Sequence, residues 1–190
     1  MGGYWGRRRP PYVLTDDRAV VSRILVYGVT GSGKTTLARR ISERTGLPWH
    51  PVDDLTWEPG WVEVPDAEQR RRIEAICAED RWVLDSAYGR WMDVPLACAE
   101  LIVALDYPRW VSLAWLLRRS VRRVVRRELA CNGNQETLRR LLGSDSIVRW
   151  HFQSFARKRD RIRQWSTTSP GPDVIRLRSP RETKRWLATL

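Results

Sequence analysis

The sequence predicts an α/β fold, a five-stranded parallel sheet with helices on both faces. Three observations predict it. Five short apolar runs, the first rich in β-branched residues, recur along the 190 residues and read as strands buried on both sides. Segments with helical periodicity separate these runs, the alternation that a parallel sheet requires. The first run leads directly into a glycine-rich loop and then a helix, at Gly28-Val29-Thr30-Gly31-Ser32-Gly33-Lys34-Thr35-Thr36.

Taken in order, residues 1–22 hold Gly, Pro and the triplet Arg7, Arg8 and Arg9 without periodicity, and are expected to form a flexible arm. A single folded domain is expected over 23–190. Residues 23–27 form the first strand, and the helix from Lys34 should stop at Gly46, a normal residue just past a helix end. Residues 47–52, bounded by prolines, predict a short second strand ending at Asp53-Asp54. Residues 55–61 read as a loop carrying Trp57 and Trp61, which could wall a pocket or simply pack. Asp66 is placed to cap a helix through Ala78, in which Ile73, Ile76 and Cys77 fall at helical spacing. Residues 81–85 and 101–106 predict two more strands, each ending in a carboxylate. Residues 173–177 predict the fifth, and Ser179-Pro180 opens a last helix.

Between the fourth and fifth strands the chain turns basic. From 109 to 163 there are fifteen Lys/Arg against four Asp/Glu, nearly all of the net charge of +12. Pro108 starts a helix in which Trp110, Leu113, Leu117, Val121 and Val124 make one apolar face. Arg118, Arg122 and Arg126 form one row on it, and Arg119, Arg123 and Arg127 the adjacent row. Such rows repel unless they are solvated or face an anion. Asn132-Gly133 signals a turn. A short helix is expected around 137–142, and a longer one over 146–165 with Val148, Phe152, Phe155 and Ile162 facing the body. Two basic helices joined by a polar break, roughly 118–160, suggest a cover that brings arginines over phosphates.

The loop at 28–36 matches GxxxxGK[ST], the phosphate-binding P-loop, in its required setting of strand, loop and helix. Its glycines let backbone N–H groups converge on phosphate oxygens, and the helix points its positive end at the same anion. Gly28, Thr30, Gly31, Ser32, Gly33, Lys34, Thr35 and Thr36 are the expected nucleotide-binding residues. Lys34 would reach the β- and γ-phosphates of ATP or GTP, and Thr35 would offer its hydroxyl to Mg²⁺. Ligands of parallel sheets sit beyond the carboxyl ends of the strands, which makes Asp53, Asp54, Asp85 and Asp106 neighbours of one site. Asp85 is expected to orient the metal and its waters, and Asp53 or Asp54 to hold or deprotonate an acceptor hydroxyl. The alternative for each carboxylate is a helix cap or an ion pair, and for Asp106 a structural role is expected. Arg119, Arg123 and Arg127 are the candidate lid arginines, with Arg118 and Arg122 close behind.

Composition narrows the classes. No apolar run approaches the roughly 18 residues of a membrane span, and no apolar stretch follows the N-terminal arginines as a secretion signal would require, so a cytoplasmic protein is expected. Cys77, Cys98 and Cys131 show no ligand or disulfide spacing, and His50 and His151 are far apart. The basic third of the chain suits a polyanion, either nucleotide phosphates or nucleic acid.

Several pieces in order resemble the adenylate-kinase-like P-loop kinases described as DNA topology modulation (FlaR-like) proteins. They are GSGKTTLAR at 31–39, DDLTWEPGW at 53–61, WVLDSAY at 82–88, LDYPR at 105–109, the RRSVRRVVRRE helix, GNQE at 133–136 and RLRSPRE at 176–182. The resemblance implies a three-layer P-loop NTPase sandwich of nucleoside-monophosphate-kinase type, with a lid in the arginine-rich part. Adenylate kinases proper carry DGxPR after the third strand; this chain has Asp85-Ser86-Ala87-Tyr88. The expected activity is therefore phosphoryl transfer from Mg²⁺-ATP to an unidentified small-molecule or nucleotide acceptor, by a monomer or homodimer. The alternative is a nucleic-acid-associated regulator in which nucleotide binding acts as a switch.

Overall fold

The computed structural model describes residues 21–86, 89–135, 146–168 and 170–190. Its main sheet consists of β1 (Arg23–Gly28), β2 (Trp49–Pro51), β5 (Trp82–Ser86), β6 (Leu101–Leu105) and β9 (Asp173–Leu177). These strands lie in the order β2-β5-β1-β6-β9 and are all parallel. Two small antiparallel pairs lie outside it, β3 (Trp57–Glu58) with β4 (Val62–Glu63), and β7 (Leu129–Ala130) with β8 (Asn134–Gln135). The described helices are α1 (Lys34–Thr45), α2 (Val52–Thr56), α3 (Asp66–Cys77), α4 (Asp93–Cys98), α5 (Arg109–Arg126), α6 (Ile147–Trp165) and α7 (Pro180–Leu187).

Side-chain alternation along β1 explains the layers. Ile24 and Val26 point to one face, where they join Leu37, Ala38 and Ile41 of α1 and Leu187 of α7. Leu25 and Tyr27 point to the other, against Ile73 and Ile76 of α3, Met92 beside α4 and Ile162 of α6. Both faces of β1, β5 and β6 are covered, so their apolar runs are continuous rather than alternating. Each fully buried Leu or Ile there contributes about 1.5–3 kcal/mol.

All five expected strands are present in the expected class of sheet. The second is shorter than the 47–52 read from the sequence. Pro51 cannot donate a ladder hydrogen bond and instead caps α2, which turns Val52 into the core. The stretch 55–61 contains more than a loop: it holds the end of α2 and the first strand of a tight hairpin, turned by Gly60 and Trp61 at positive φ. Asp66 lies inside the first turn of α3 with Pro65 at the cap, and its carboxylate pairs with Arg90. Gly46 ends α1 in the left-handed conformation and Ser179 caps α7, as expected. The expected short helix at 137–142 and the arm up to residue 20 lie outside the described residues.

Helix α5 is rotated relative to the sequence reading, whereas α6 keeps Phe155 and Ile162 inward as expected and turns only Phe152 out. On α5, Trp110 is 73% exposed and Leu117 and Val121 are exposed too; the buried residues are Val111, Ser112, Leu116 and Ser120. Close approach explains this choice, because the backbone of Ser112 and the Leu116 side chain press directly onto the P-loop. Small Ser112 lets the helix backbone come within reach of Gly31, with Leu116 packed beside it. The rotation leaves Arg119 and Arg123 half-buried and Arg118, Arg122 and Arg126 exposed. On α6 the inward residues are His151, Ser154, Phe155, Lys158 and Ile162, and Phe152 is exposed. The first half of α6 faces the polar P-loop rather than the core, so apolar spacing alone misses His151, Ser154 and Lys158 among its inward residues.

Candidate active site

The P-loop joins β1 to α1. Gly33 is the residue before α1, at φ 88°, and Gly31 lies at φ 79°, both in the left-handed region where glycine is unstrained. Space also demands glycine at 31, since a Cβ there would lie 2.6 Å from the Ser112 carbonyl oxygen. Ser32 closes the loop by donating its hydroxyl to the Val29 carbonyl at 2.8 Å. Lys34 Nζ donates to the same carbonyl at 3.1 Å. Burial lowers the Lys34 ammonium to about 8, against the opposing pull of Asp53 and Asp85, while Arg119 pushes it further down.

Asp85, at the end of β5, is buried beside the loop. It accepts from the Val52 N–H at 3.2 Å and from Trp49 Nε1 at 3.3 Å. The neighbouring Thr35 hydroxyl also favours its charged form. Burial raises the Asp85 carboxyl above the usual range, and these hydrogen bonds oppose the rise.

Asp53 and Asp54 part company. Asp53 is exposed at the start of α2 and close enough to Lys34 to favour its charge. Asp54 accepts instead from the Asn132 N–H at 3.3 Å, and its carbonyl accepts from Asn132 Nδ2 at 2.7 Å. Asn134 continues this link: its Oδ1 accepts from the Trp61 N–H at 2.7 Å, and its Nδ2 donates to the Glu58 carbonyl at 3.0 Å. The β7–β8 turn is thereby docked on the segment carrying Trp57 and Trp61, whose rings meet edge to face at 5.8 Å. Asp106 is 2% exposed and holds Arg159 of α6 at 2.5 Å and Arg176 of β9 at 2.7 Å. It is a structural bridge, as expected.

Of the lid candidates, Arg119 lies near Lys34, and both Arg119 and Arg123 lie near the Cys131 thiol, which burial pushes up to about 12. Arg127 ends α5 in the left-handed conformation and is exposed. The structure therefore brings together Lys34, Thr35, Asp85, Asp53 and Arg119 and leaves Asp54 and Arg127 outside that group.

Two residues of α6 join the loop without having been expected there. His151 lies 3.0 Å from the Thr30 carbonyl through Nδ1, which must carry the proton because a carbonyl only accepts. Burial lowers the imidazole's pKa. Lys158, 5% exposed, donates from Nζ to Thr30 Oγ1 at 3.3 Å. Burial, then Lys34 and Arg157, bring its ammonium down to about 7. One signal was available in the sequence: all but three of the 34 basic residues are arginine, and two of those three lysines, Lys34 and Lys158, stand at this loop. A lysine offers a compact charge that tolerates burial by shifting its pKa, which arginine does not.

A glycine loop capping a helix, backed by a lysine and by a buried strand-end carboxylate, defines a P-loop nucleotide-binding protein of kinase-like fold. More narrowly, the chain belongs to the AAA domain family, whose model matches residues 24–183. Similar solved structures include a gluconokinase from Sinorhizobium meliloti 1021, 17% identical with a TM-score of 0.50, the match covering 88% of this chain and 91% of that one. A shikimate kinase from Bacteroides thetaiotaomicron is 14% identical with a TM-score of 0.53, covering 88% and 95%. At such identities the likeness shows the fold alone. No curated protein matches the chain. Among the described residues, no helix is long and apolar enough to cross a membrane.

Proposed function

We propose that the protein is an adenylate-kinase-like phosphotransferase that moves the γ-phosphoryl group of ATP to a hydroxyl of a small-molecule or nucleotide acceptor. The observation that carries this reading is the convergence of Lys34, Lys158 and Arg119 with Asp53 and Asp85 at the carboxyl ends of β1 and β5. Phosphoryl transfer spreads charge over the moving group, and catalysis consists mainly of positioning and neutralising it. Lys34 and the loop amides would hold the β- and γ-phosphates, with Lys158 and Arg119 closing over them from the lid side. Asp53 would take the acceptor's proton as its oxygen bonds to the γ-phosphorus; the bridging P–O bond breaks and ADP leaves. Arg123 and Arg127, further along the lid, would approach on closure.

The residues fit Mg²⁺ as well. Thr35 and Asp85 are neighbours and both offer hard oxygen donors, the kind Mg²⁺ takes alongside substrate phosphates. The ion would neutralise phosphate charge; Thr35 would hold it and Asp85 would orient its waters.

The test is ADP formation from Mg²⁺-ATP across a panel of nucleosides, nucleotides, sugars and sugar acids. We expect turnover that appears only with one class of acceptor and is lost in Lys34→Ala. ADP formation that ignores every acceptor, or that persists in Lys34→Ala, would overturn the reading. The exposed Arg118 and Arg126, which carry no ion pair among the described residues, favour a second reading as a nucleic-acid-associated regulator. DNA binding with a steep salt dependence and no phosphotransfer would support it.

A further inference from the structure

Half-buried basic side chains in this protein are mostly matched by carboxylates. Arg23 pairs with Glu100, Arg72 with Glu58 and Glu68, and Arg159 and Arg176 with Asp106. Lys34, Lys158 and Arg161 are buried or half-buried and have no ion pair among the described residues. All three stand at the carboxyl end of the sheet. Lys34 and Lys158 meet the P-loop, where the donor's phosphates account for them.

Arg161 stands elsewhere. It lies beside the Tyr27 phenol, and its guanidinium nitrogens are 3.7 and 4.0 Å from the position a Cβ would take on Gly89. Gly89 belongs to the loop that follows β5, on the β5 side of the P-loop. That loop's own arginine cannot supply charge there, because Arg90 is taken up by Glu63 at 3.2 Å and by Asp66. Arg157, one turn before Arg161 on α6, also lies near Tyr27 and forms no ion pair among the described residues. An uncompensated, half-buried guanidinium is costly unless an anion comes to it. Lys158 and Arg161 are three residues apart on one helix, so their Cβ atoms are about 5–6 Å apart. That spacing suits two anionic groups held side by side.

We propose that Arg161, supported by Arg157, forms a second anion site that holds a carboxylate or phosphate of the acceptor, so that the acceptor is a hydroxyl compound that is already anionic. The assignment rests on the phosphotransferase reading above. It restricts the substrate class to sugar acids, hydroxy acids, phosphorylated alcohols and nucleotides, and leaves out neutral sugars and free nucleosides. Binding of such a group would bring α6 toward the β5 loop and press Lys158 and His151 onto the P-loop.

The probe is inorganic phosphate, titrated at constant ionic strength into the full-length protein saturated with a non-hydrolysable Mg²⁺-ATP analogue; binding is read by thermal shift and calorimetry. Acetate in a parallel arm separates carboxylate from phosphate recognition. With the P-loop filled, we expect saturable binding of at least one of the two anions. Arg161→Gln should weaken it about tenfold or more, the usual loss for a charge-assisted hydrogen bond, and leave affinity for the analogue unchanged. Arg161→Lys should retain part of the binding, and Arg149→Gln, at an exposed position, all of it. The assignment is overturned if neither anion binds once the analogue is bound, or if Arg161→Gln binds anions like wild type. Failure of the analogue itself to bind would remove the donor-site reading first, and the acceptor site with it.

Discussion

Lys158→Met is expected to make the nucleotide-free protein more stable and nucleotide binding weaker. Lys158 is nearly enclosed, and its ammonium is lowered to about 7 from an ordinary 10.5, chiefly by burial. The unfolded chain therefore holds this proton up to about 10.5, whereas the native chain releases it near 7. Between those values the unfolded state binds more protons, so on this group's account stability rises as pH increases from 7 towards 10.5. Lys34, lowered to about 8, contributes with the same sign over a narrower range. Methionine of similar length removes the buried charge and with it the desolvation penalty of that ion. The same change removes a charged donor to phosphate, worth about 1.5–3 kcal/mol, or about 10- to 100-fold in affinity. Denaturant melts across pH and nucleotide titrations check both halves. A variant that loses stability and keeps its affinity would make Lys158 a structural residue.

Asp106→Ala should produce the largest loss of stability of any single change near the site. Its carboxylate is fully enclosed and neutralises two arginines from different elements, α6 and β9. Removing one partner of a buried ionic cluster costs about 3–5 kcal/mol, because the remaining charges are stranded. In a domain of this size that corresponds to a fall in Tm of about 6–20 °C. The effect should extend to function, since α6 carries His151, Lys158 and Arg161 and Asp106 is what ties its middle to the sheet. Thermal melts with and without Mg²⁺-ATP would show a lower Tm together with a smaller ligand-induced shift. A Tm within a degree of wild type would contradict the bridging role.

The P-loop was legible because it is local. Gly28, Gly31, Gly33, Lys34 and Thr35 occupy consecutive turns of one loop, and their spacing alone fixes what they can hold. The strand-end carboxylates were legible by a fold-level rule, but that rule could not separate Asp53 from Asp54. Adjacent residues at a helix start point in different directions, and only a contact 78 residues away, with Asn132, shows that Asp54 is turned to the β7–β8 turn. The rotation of α5 and the polar inward residues of α6 were not legible because apolar periodicity assumes that a helix faces a core. Here Ser112 and Leu116 face a glycine loop, and Lys158 reaches Thr30 of the same loop, so polar and small residues hold several inward positions. Lys158 and Arg161 were hidden among the arginines for the same reason. Their distinction lies in burial and in missing ion pairs, which are properties of the folded chain.

The central claim, that residues 28–36 with Lys34 form the binding site of an ATP donor, is tested most directly by calorimetric titration of Mg²⁺-ATP at pH 8 in buffers of different ionisation enthalpy. The account predicts binding at a single site accompanied by net proton uptake, because the triphosphate returns protons to Lys158 and Lys34, whose ammonium groups burial has lowered to about 7 and about 8. It also predicts that Lys34→Ala weakens binding about 100-fold or more, the loss of a charged contact in an enclosed site. Binding by Lys34→Ala with wild-type affinity, or binding with no uptake of protons, would contradict it.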